Sequence, residues 1–235
     1  MIALHAPCLV QAHRPQLLRA MQRVGEAAGG AMHIPKGQTC CGLPALEAGF
    51  DDAARDAARH TVGVFQGIEA VLTPSTACLR MFQTHIPELL ARDPLAAEAE
   101  SLARKVRPWC AWVSERIDHL LPKLRYQGRI ILLDVCDAPS CKTCRSLLEA
   151  VPGLIIQQSP ARCCSFSHDL SRRHPDIAAA IAETVAAPLL HSRADAILVH
   201  EPGCLWRLGP LFAGKDTPYL LHPAEFLAAI LASEL

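Results

Sequence analysis

The chain has 235 residues, enough to bury a sizeable core as one large domain or two small ones. Lys plus Arg and Asp plus Glu each total 23, so the formal net charge is zero and no basic field exists to attract nucleic acid or an anionic membrane. The longest apolar stretches fall short of the roughly 18–20 residues that span a bilayer. Residues 1–6 lack a basic region ahead of an apolar run and read as a first strand, not a signal peptide, so a soluble, cytoplasmic protein is expected.

In chain order, a strand over 2–4 is followed by a helix over 15–24, with Leu17, Met21 and Val24 on one face. A strand over 31–34, a helix over 45–67, strands over 71–73 and 111–113 and a helix over 115–121 complete the first half. Residues 124–128 form the expected lobe boundary. Strands over 130–133 and 154–157, a helix over 177–190, strands over 197–200 and 219–221 and a helix over 224–231 make up the second half. Strands alternating with helices imply crossover units and parallel sheets. The expected fold class is α/β: two pseudo-repeated lobes, 1–124 and 125–235, each a small mostly parallel sheet flanked by helices. Their cysteines fall at the carboxyl edges of the strands.

The two halves share one cysteine phrase. Cys8, the pair Cys40 and Cys41, and Cys78 are followed by Cys136, the pair Cys163 and Cys164, and Cys204, at offsets of 128, 123, 123 and 126 residues. The flanks repeat as well: Pro74-Ser75-Thr76-Ala77-Cys78 follows Ala70-Val71-Leu72, and Glu201-Pro202-Gly203-Cys204 follows Ala196-Ile197-Leu198-Val199. A repeat of this length is too long for a solenoid unit and suggests two related lobes. Each single cysteine follows or ends a predicted strand, and each pair sits in a loop before a helix. In open α/β sheets these positions face one crevice, where ligands gather. Four thiolates per lobe would then converge, beside helix N-termini that favour anions.

Eleven cysteines in 235 residues stay below the roughly 8–10 % of disulfide scaffolds, and a reducing compartment opposes stable bridges. Structural zinc prefers Cys-x2–4-Cys pairs, and two adjacent residues serve one tetrahedral ion awkwardly. An iron–sulfur cluster has several irons, so neighbouring thiolates can reach different ones, and this reading is favoured over zinc. Zinc stays open as an alternative in one lobe.

The phrase Cys8, Cys40-Cys41-Gly42, Cys78 resembles the cysteine-rich CCG domain, which occurs in tandem in the B subunit of heterodisulfide reductase, in the glycolate oxidase iron–sulfur subunit and in the lactate-utilisation protein A family. Similarity to the last runs through Gln38-Thr39-Cys40-Cys41-Gly42-Leu43-Pro44, residues 74–78, 150–154 and 195–204, and covers nearly the whole chain. The resemblance implies an iron–sulfur subunit, with one or two clusters of the [4Fe–4S] type, that passes electrons during oxidation of L-lactate or a similar 2-hydroxy acid. Cys8, Cys40, Cys41 and Cys78 would hold one cluster, and Cys136, Cys163, Cys164 and Cys204 another. Ferredoxin-like or flavin-containing redox subunits would be partners, since the chain has no nucleotide fingerprint or flavin motif. It would be an oxidoreductase subunit, not a self-sufficient enzyme. A heterodisulfide-reductase-like disulfide or thiol reductase and a non-redox metal-binding module are the alternatives.

The second half departs from the family. Asp134-Val135-Cys136-Asp137 replaces Asp-Ser-Cys-His, Ser165 replaces glycine after the second pair, and 26 residues separate Cys136 from Cys163 against 31 between Cys8 and Cys40. Cys141-Lys142-Thr143-Cys144 lies inside that shortened segment and offers extra ligands, a redox couple or a solvent-facing turn. The reductase B subunits carry a further cysteine where this chain has Ser75 and Glu201. Cys110 fits neither phrase and reads as a buried free thiol. His168, Arg172, Arg173 and His174 could tune a cluster or form a solvated turn. His200 and Glu201 could lie behind the ligands, supply oxygen or be satisfied polar groups at a strand end, and Gly42 and Gly203 suit tight backbone near cysteines.

Overall fold

The computed structural model of the chain describes residues 1–133, 139–159, 163–166, 168–214 and 216–232, with the backbone alone for 139–141, 168 and 169. The first half runs β1 (Ile2–Leu4), α1 (Cys8–His13), α2 (Gln16–Ala27), β2 (Met32–His33), α3 (Leu43–Glu47), α4 (Asp51–Val64) and β3 (Ala70–Thr73). It continues through α5 (Thr76–Arg80), a π-helical turn (Met81–His85), α6 (Ile86–Leu89), α7 (Ala96–Lys105), β4 (Val106–Pro108), α8 (Trp109–Ser114) and α9 (Ile117–Leu120). The second half runs β5 (Gly128–Leu132), α10 (Pro139–Glu149), β6 (Leu154–Gln158), α11 (His168–Arg173), α12 (Pro175–Leu190), β7 (Ala196–Leu198), α13 (Pro202–Leu208), β8 (Tyr219–Leu221) and α14 (Pro223–Ala232).

Two four-stranded sheets result, in the orders β2-β1-β3-β4 and β6-β5-β7-β8, and every pairing is parallel. Both orders reverse direction at one place, between β1 and β3 and between β5 and β7. The loops leaving those neighbouring strands separate there and leave a crevice at their carboxyl ends.

Strands buried on both faces read as continuous apolar runs, and their alternate residues serve two cores. Leu4, Leu72, Ile130, Leu132 and Leu198 point into one cluster shared by the two lobes. Ala3 and Val71 point outward beneath Phe65, Phe82 and Leu102. Ile131 and Ile197 do the same beneath Val185, Ala186 and Leu205. The shared cluster is built where α2 packs on α14 and α8 on α10. Leu17, Met21 and Val24, the face read from the sequence, lie fully buried in it with Trp109, Trp112, Leu147, Phe226 and Leu227.

Several boundaries move. The run 111–113, expected as a strand, is the heart of helix α8, and the edge strand is Val106–Pro108. A short apolar run does not distinguish strand from buried helix, and Trp109, Trp112 and Val113 are all needed in the core between the lobes. The expected helix over 45–67 is broken into α3 and α4 at Gly49, whose φ of +80° ends a helix. Among the described residues, no helix is long and apolar enough to cross a membrane.

Candidate metal centre

The first lobe assembles its four cysteines at the reversal point. Cys8 opens α1 just beyond β1, and Cys78 is the third residue of α5 just beyond β3. Cys40 and Cys41 end the loop that leaves β2, immediately ahead of Gly42, the N-cap of α3. Gly42 sits at φ +92°, and a Cβ there would lie 3.0 Å from Ala57 Cβ and 3.3 Å from the Ala54 carbonyl oxygen. Only glycine turns the chain there without strain, and that turn directs Cys41 inward.

The sulfurs then gather in one cluster, a ring in outline only. Cys41 Sγ lies 3.6 Å from Cys78 Sγ, Cys40 hydrogen-bonds both Cys8 and Cys41, and the charge of Cys78 reaches Cys8. The hydrogen bond to Cys40, burial and the charges of Cys40 and Cys78 push the Cys8 thiol far up; hydrogen bonds to Cys40 and Cys78, then burial, do the same to Cys41. Backbone N–H groups of Leu9 and Leu43 oppose the rise. Four thiols so crowded cannot all ionise unless positive charge enters among them. His5, absent from the sequence reading, is buried beside this ring with Nδ1 3.0 Å from Thr73 Oγ1. Burial lowers its pKa to about 3, partly offset by the charge of Cys40. Cys8 is exposed and Cys40 half-buried, so the ring opens to the surface on their side.

The second lobe repeats the plan with changes. Cys204 is the third residue of α13, as Cys78 is of α5. Ser165 holds the place of Gly42 and keeps its left-handed backbone, with φ +65°. The Ser165 hydroxyl donates to the Ala178 carbonyl at 2.6 Å, and the N–H groups of Ser165 and Phe166 donate to Cys163 Sγ at 3.3 Å and Cys164 Sγ at 3.4 Å. Cys163 is exposed, whereas Cys164 and Cys204 are buried and joined in a disulfide with Cα atoms 5.7 Å apart. Cys136 lies outside the described residues. Gly203 is required by packing: a Cβ would lie 2.1 Å from Phe166 Cδ1.

Three residues beyond the last cysteine of each phrase, Met81 stands in the first lobe and Arg207 in the second. Among the described residues, Nε and Nη2 of Arg207 are buried with no hydrogen-bond partner. Buried guanidinium N–H groups without an acceptor among those residues favour a negatively charged neighbour.

Two disulfides correct the expectation that the cysteines stay unbridged. The second joins Cys110 of α8 to Cys144 of α10, with Cα atoms 5.1 Å apart. Cys110 is therefore not a free thiol. Cys144 is only 2 % exposed, in the core between the lobes, not on a solvent-facing turn; the Cys141 side chain lies outside the described residues. Arg172, Arg173 and His174 are solvent-exposed, and the His168 side chain is not described.

Ser75 and Glu201, which occupy equivalent places in the two phrases, meet each other. Ser75 Oγ donates to Glu201 Oε1 at 3.0 Å. Burial pushes the Glu201 carboxyl up, and hydrogen bonds from Ser75, Ala77, Thr76 and Gly203 oppose it. Their oxygens are thus engaged with each other and with helix N-termini. His200 is buried, and its carbonyl accepts from His222 Nε2 at 3.2 Å. The Trp109 and His222 rings stack edge to face, with centroids 6.3 Å apart.

Among the described residues, no three or more His, Cys, Asp or Glu side chains are grouped as a site for a single metal ion. A ring of soft thiolates with N–H donors on the sulfurs suits instead a group with several metal atoms, each reached by a different cysteine. The residues of the first lobe fit an iron–sulfur cluster. In the second, Cys164 and Cys204 are bonded to each other and would serve as ligands only once that disulfide is reduced.

The fold and these cysteine loops define the class: the chain belongs to the CCG cysteine-rich domain family, which it matches over residues 2–83 and 136–209. It is similar to lactate utilization protein A 2 of Bacillus mycoides, 28 % identical over 96 % of this chain and 98 % of that protein. Lactate utilization protein A of Anoxybacillus flavithermus is 27 % identical, and that of Bacillus velezensis 28 %, each over 96 % of this chain and 98 % of its own length.

Proposed function

We propose that the chain is an iron–sulfur electron-transfer subunit of a cytoplasmic system that oxidises L-lactate or a similar 2-hydroxy acid. The observation that carries the proposal is the ring formed by Cys8, Cys40, Cys41 and Cys78 at the reversal point of the first sheet. These four cysteines hold a cluster, probed at the surface through Cys8 and Cys40. Cys136, Cys163, Cys164 and Cys204 hold a second. Before Cys164 and Cys204 can both act as ligands, their disulfide takes up two electrons and two protons from a thiol reductant. When bound, the cluster supplies one-electron transfer; the chain's own contribution is a fixed sulfur geometry, N–H groups on the sulfurs, and the exclusion of water around Cys41 and Cys78. Substrate oxidation belongs to flavin-containing or ferredoxin-like partners, in keeping with a sequence that carries no nucleotide-binding fingerprint. The names of the similar proteins support lactate as the substrate of the assembled system. The lobes divide between residues 124 and 125.

The test is electron transfer in the assembled system. With partner subunits and L-lactate under anaerobic conditions, the visible absorption of this chain should bleach as its centres are reduced. Cys41→Ser should lower the rate by at least about tenfold, the effect expected when a ligand or its immediate support is lost. Reduction of the partners with no spectral change in this chain would reject the proposal.

A further inference from the structure

Glu201 belongs to the second lobe, yet most of its hydrogen bonds reach the first. Oε1 accepts from Ser75 Oγ at 3.0 Å and from the Gly203 N–H at 3.5 Å. Oε2 accepts from the N–H groups of Thr76 at 2.8 Å and Ala77 at 3.3 Å. Ser75 Oγ in turn accepts from the Cys78 N–H at 3.2 Å. One carboxylate therefore closes the N-termini of both α5 and α13, and each of these helices carries a phrase cysteine as its third residue. All four groups on the carboxylate are donors, which fits its ionised form. Two ordinary caps, a Ser or an Asp on each helix, would satisfy the same N–H groups without burying a charge between the lobes.

We propose that Glu201 is a positioning residue shared by the two cysteine sets: it fixes Cys78 and Cys204 relative to one another and exerts its negative charge on both sites. The positional part stands on the geometry alone, and the electrostatic part rests on the proposed redox function. In a buried setting a charge acts strongly over a few hydrogen-bond lengths. A negative charge resists the arrival of an electron, so its removal raises the reduction midpoint of whatever centre lies beside it.

Two variants of the full chain separate the parts. Glu201→Ala removes the cap. In the metal-free protein, amide exchange at Thr76 and Ala77 should speed up by about tenfold, the effect of one lost hydrogen bond, with the rise confined to α5 and the start of α13. Glu201→Gln keeps the shape and a carbonyl oxygen but not the charge, and it should leave much of that protection in place. Carried on Cys204→Ser, so that only the first-lobe centre is read, Glu201→Gln should raise that centre's midpoint although the residue lies in the other lobe. Unchanged exchange in Glu201→Ala, or a rise spread over the whole chain, overturns the positional role. An unmoved first-lobe midpoint with iron content preserved overturns the electrostatic one. A wild-type chain that takes up no iron defeats the proposed function and the electrostatic part with it, while the exchange measurement still decides the positional part.

Discussion

At the scale of single residues, the two copies of the phrase solve one backbone problem in different ways. Gly42 and Ser165 both adopt positive φ directly after a cysteine pair. In Gly42→Ala the new Cβ meets Ala57 and the Ala54 carbonyl. Left-handed strain and this contact together should lower stability by about 1–3 kcal/mol in urea unfolding and displace Cys41. Ser165 tolerates the conformation while donating to Ala178, so Ser165→Ala should cost about 1 kcal/mol. Ser165→Gly should come out close to neutral, because relief of strain offsets the lost bond. His222 adds a pH dependence. Burial, then the charge of His200, lowers its pKa to about 3 from 6.5, so below pH 6.5 the unfolded chain binds a proton that the folded chain refuses. Stability contributed by neutral His222 is complete above about pH 6.5 and is lost progressively as pH falls toward 3. Replacement by Gln should flatten the dependence of the urea midpoint on pH across that window; an unaltered dependence would contradict the assignment. Sequence alone marked the cysteines and the need for glycine at position 42. It did not reveal the Ser75–Glu201 bond, because contact between residues 126 apart depends on how the lobes dock, which no local pattern encodes.

At the scale of elements, the strands were legible wherever an apolar run had two buried faces, as in β1, β3, β5 and β7. Helix α8 was not, because its six residues are too few to display a 3.6-residue period, and Trp109, Cys110, Trp112 and Val113 make it apolar nearly all round. That same helix carries Cys110, which explains why its bond to Cys144 escaped a reading based on matched phrases. The Cys110–Cys144 bridge spans 34 residues and ties α8 to α10 across the lobe boundary. Loop-closure entropy for that span corresponds to about 3–4 kcal/mol. Cys110→Ala should therefore shift unfolding by an amount of that order relative to the oxidised chain, and by far less when both are compared under strong reductant. Equal stabilities under oxidising conditions would show that the bridge does not form in solution.

For the whole molecule, the internal repeat predicted two lobes, and two four-stranded parallel sheets are present. Their mode of association was not legible. Leu17, Met21, Trp109 and Trp112 of the first lobe bury themselves against Leu147, Phe226 and Leu227 of the second. Each such side chain contributes about 1.5–3 kcal/mol on burial, and together they rival the 5–15 kcal/mol net stability of a typical domain. Residues 1–124 expressed alone should expose this face, bind a hydrophobic dye and lack a cooperative transition, whereas the intact chain should unfold in one step. A fragment with its own sharp transition would mean that the shared core is dispensable.

The central claim, that the first lobe gathers its thiols around an iron–sulfur cluster, is tested most directly by composition. Iron, acid-labile sulfide and zinc are to be measured per chain after strictly anaerobic purification of the wild type and of Cys41→Ser. The expected result is about four irons and four sulfides for each occupied lobe, with the first-lobe share lost on the substitution. Zinc without sulfide, or an iron content indifferent to Cys41→Ser, would contradict the account.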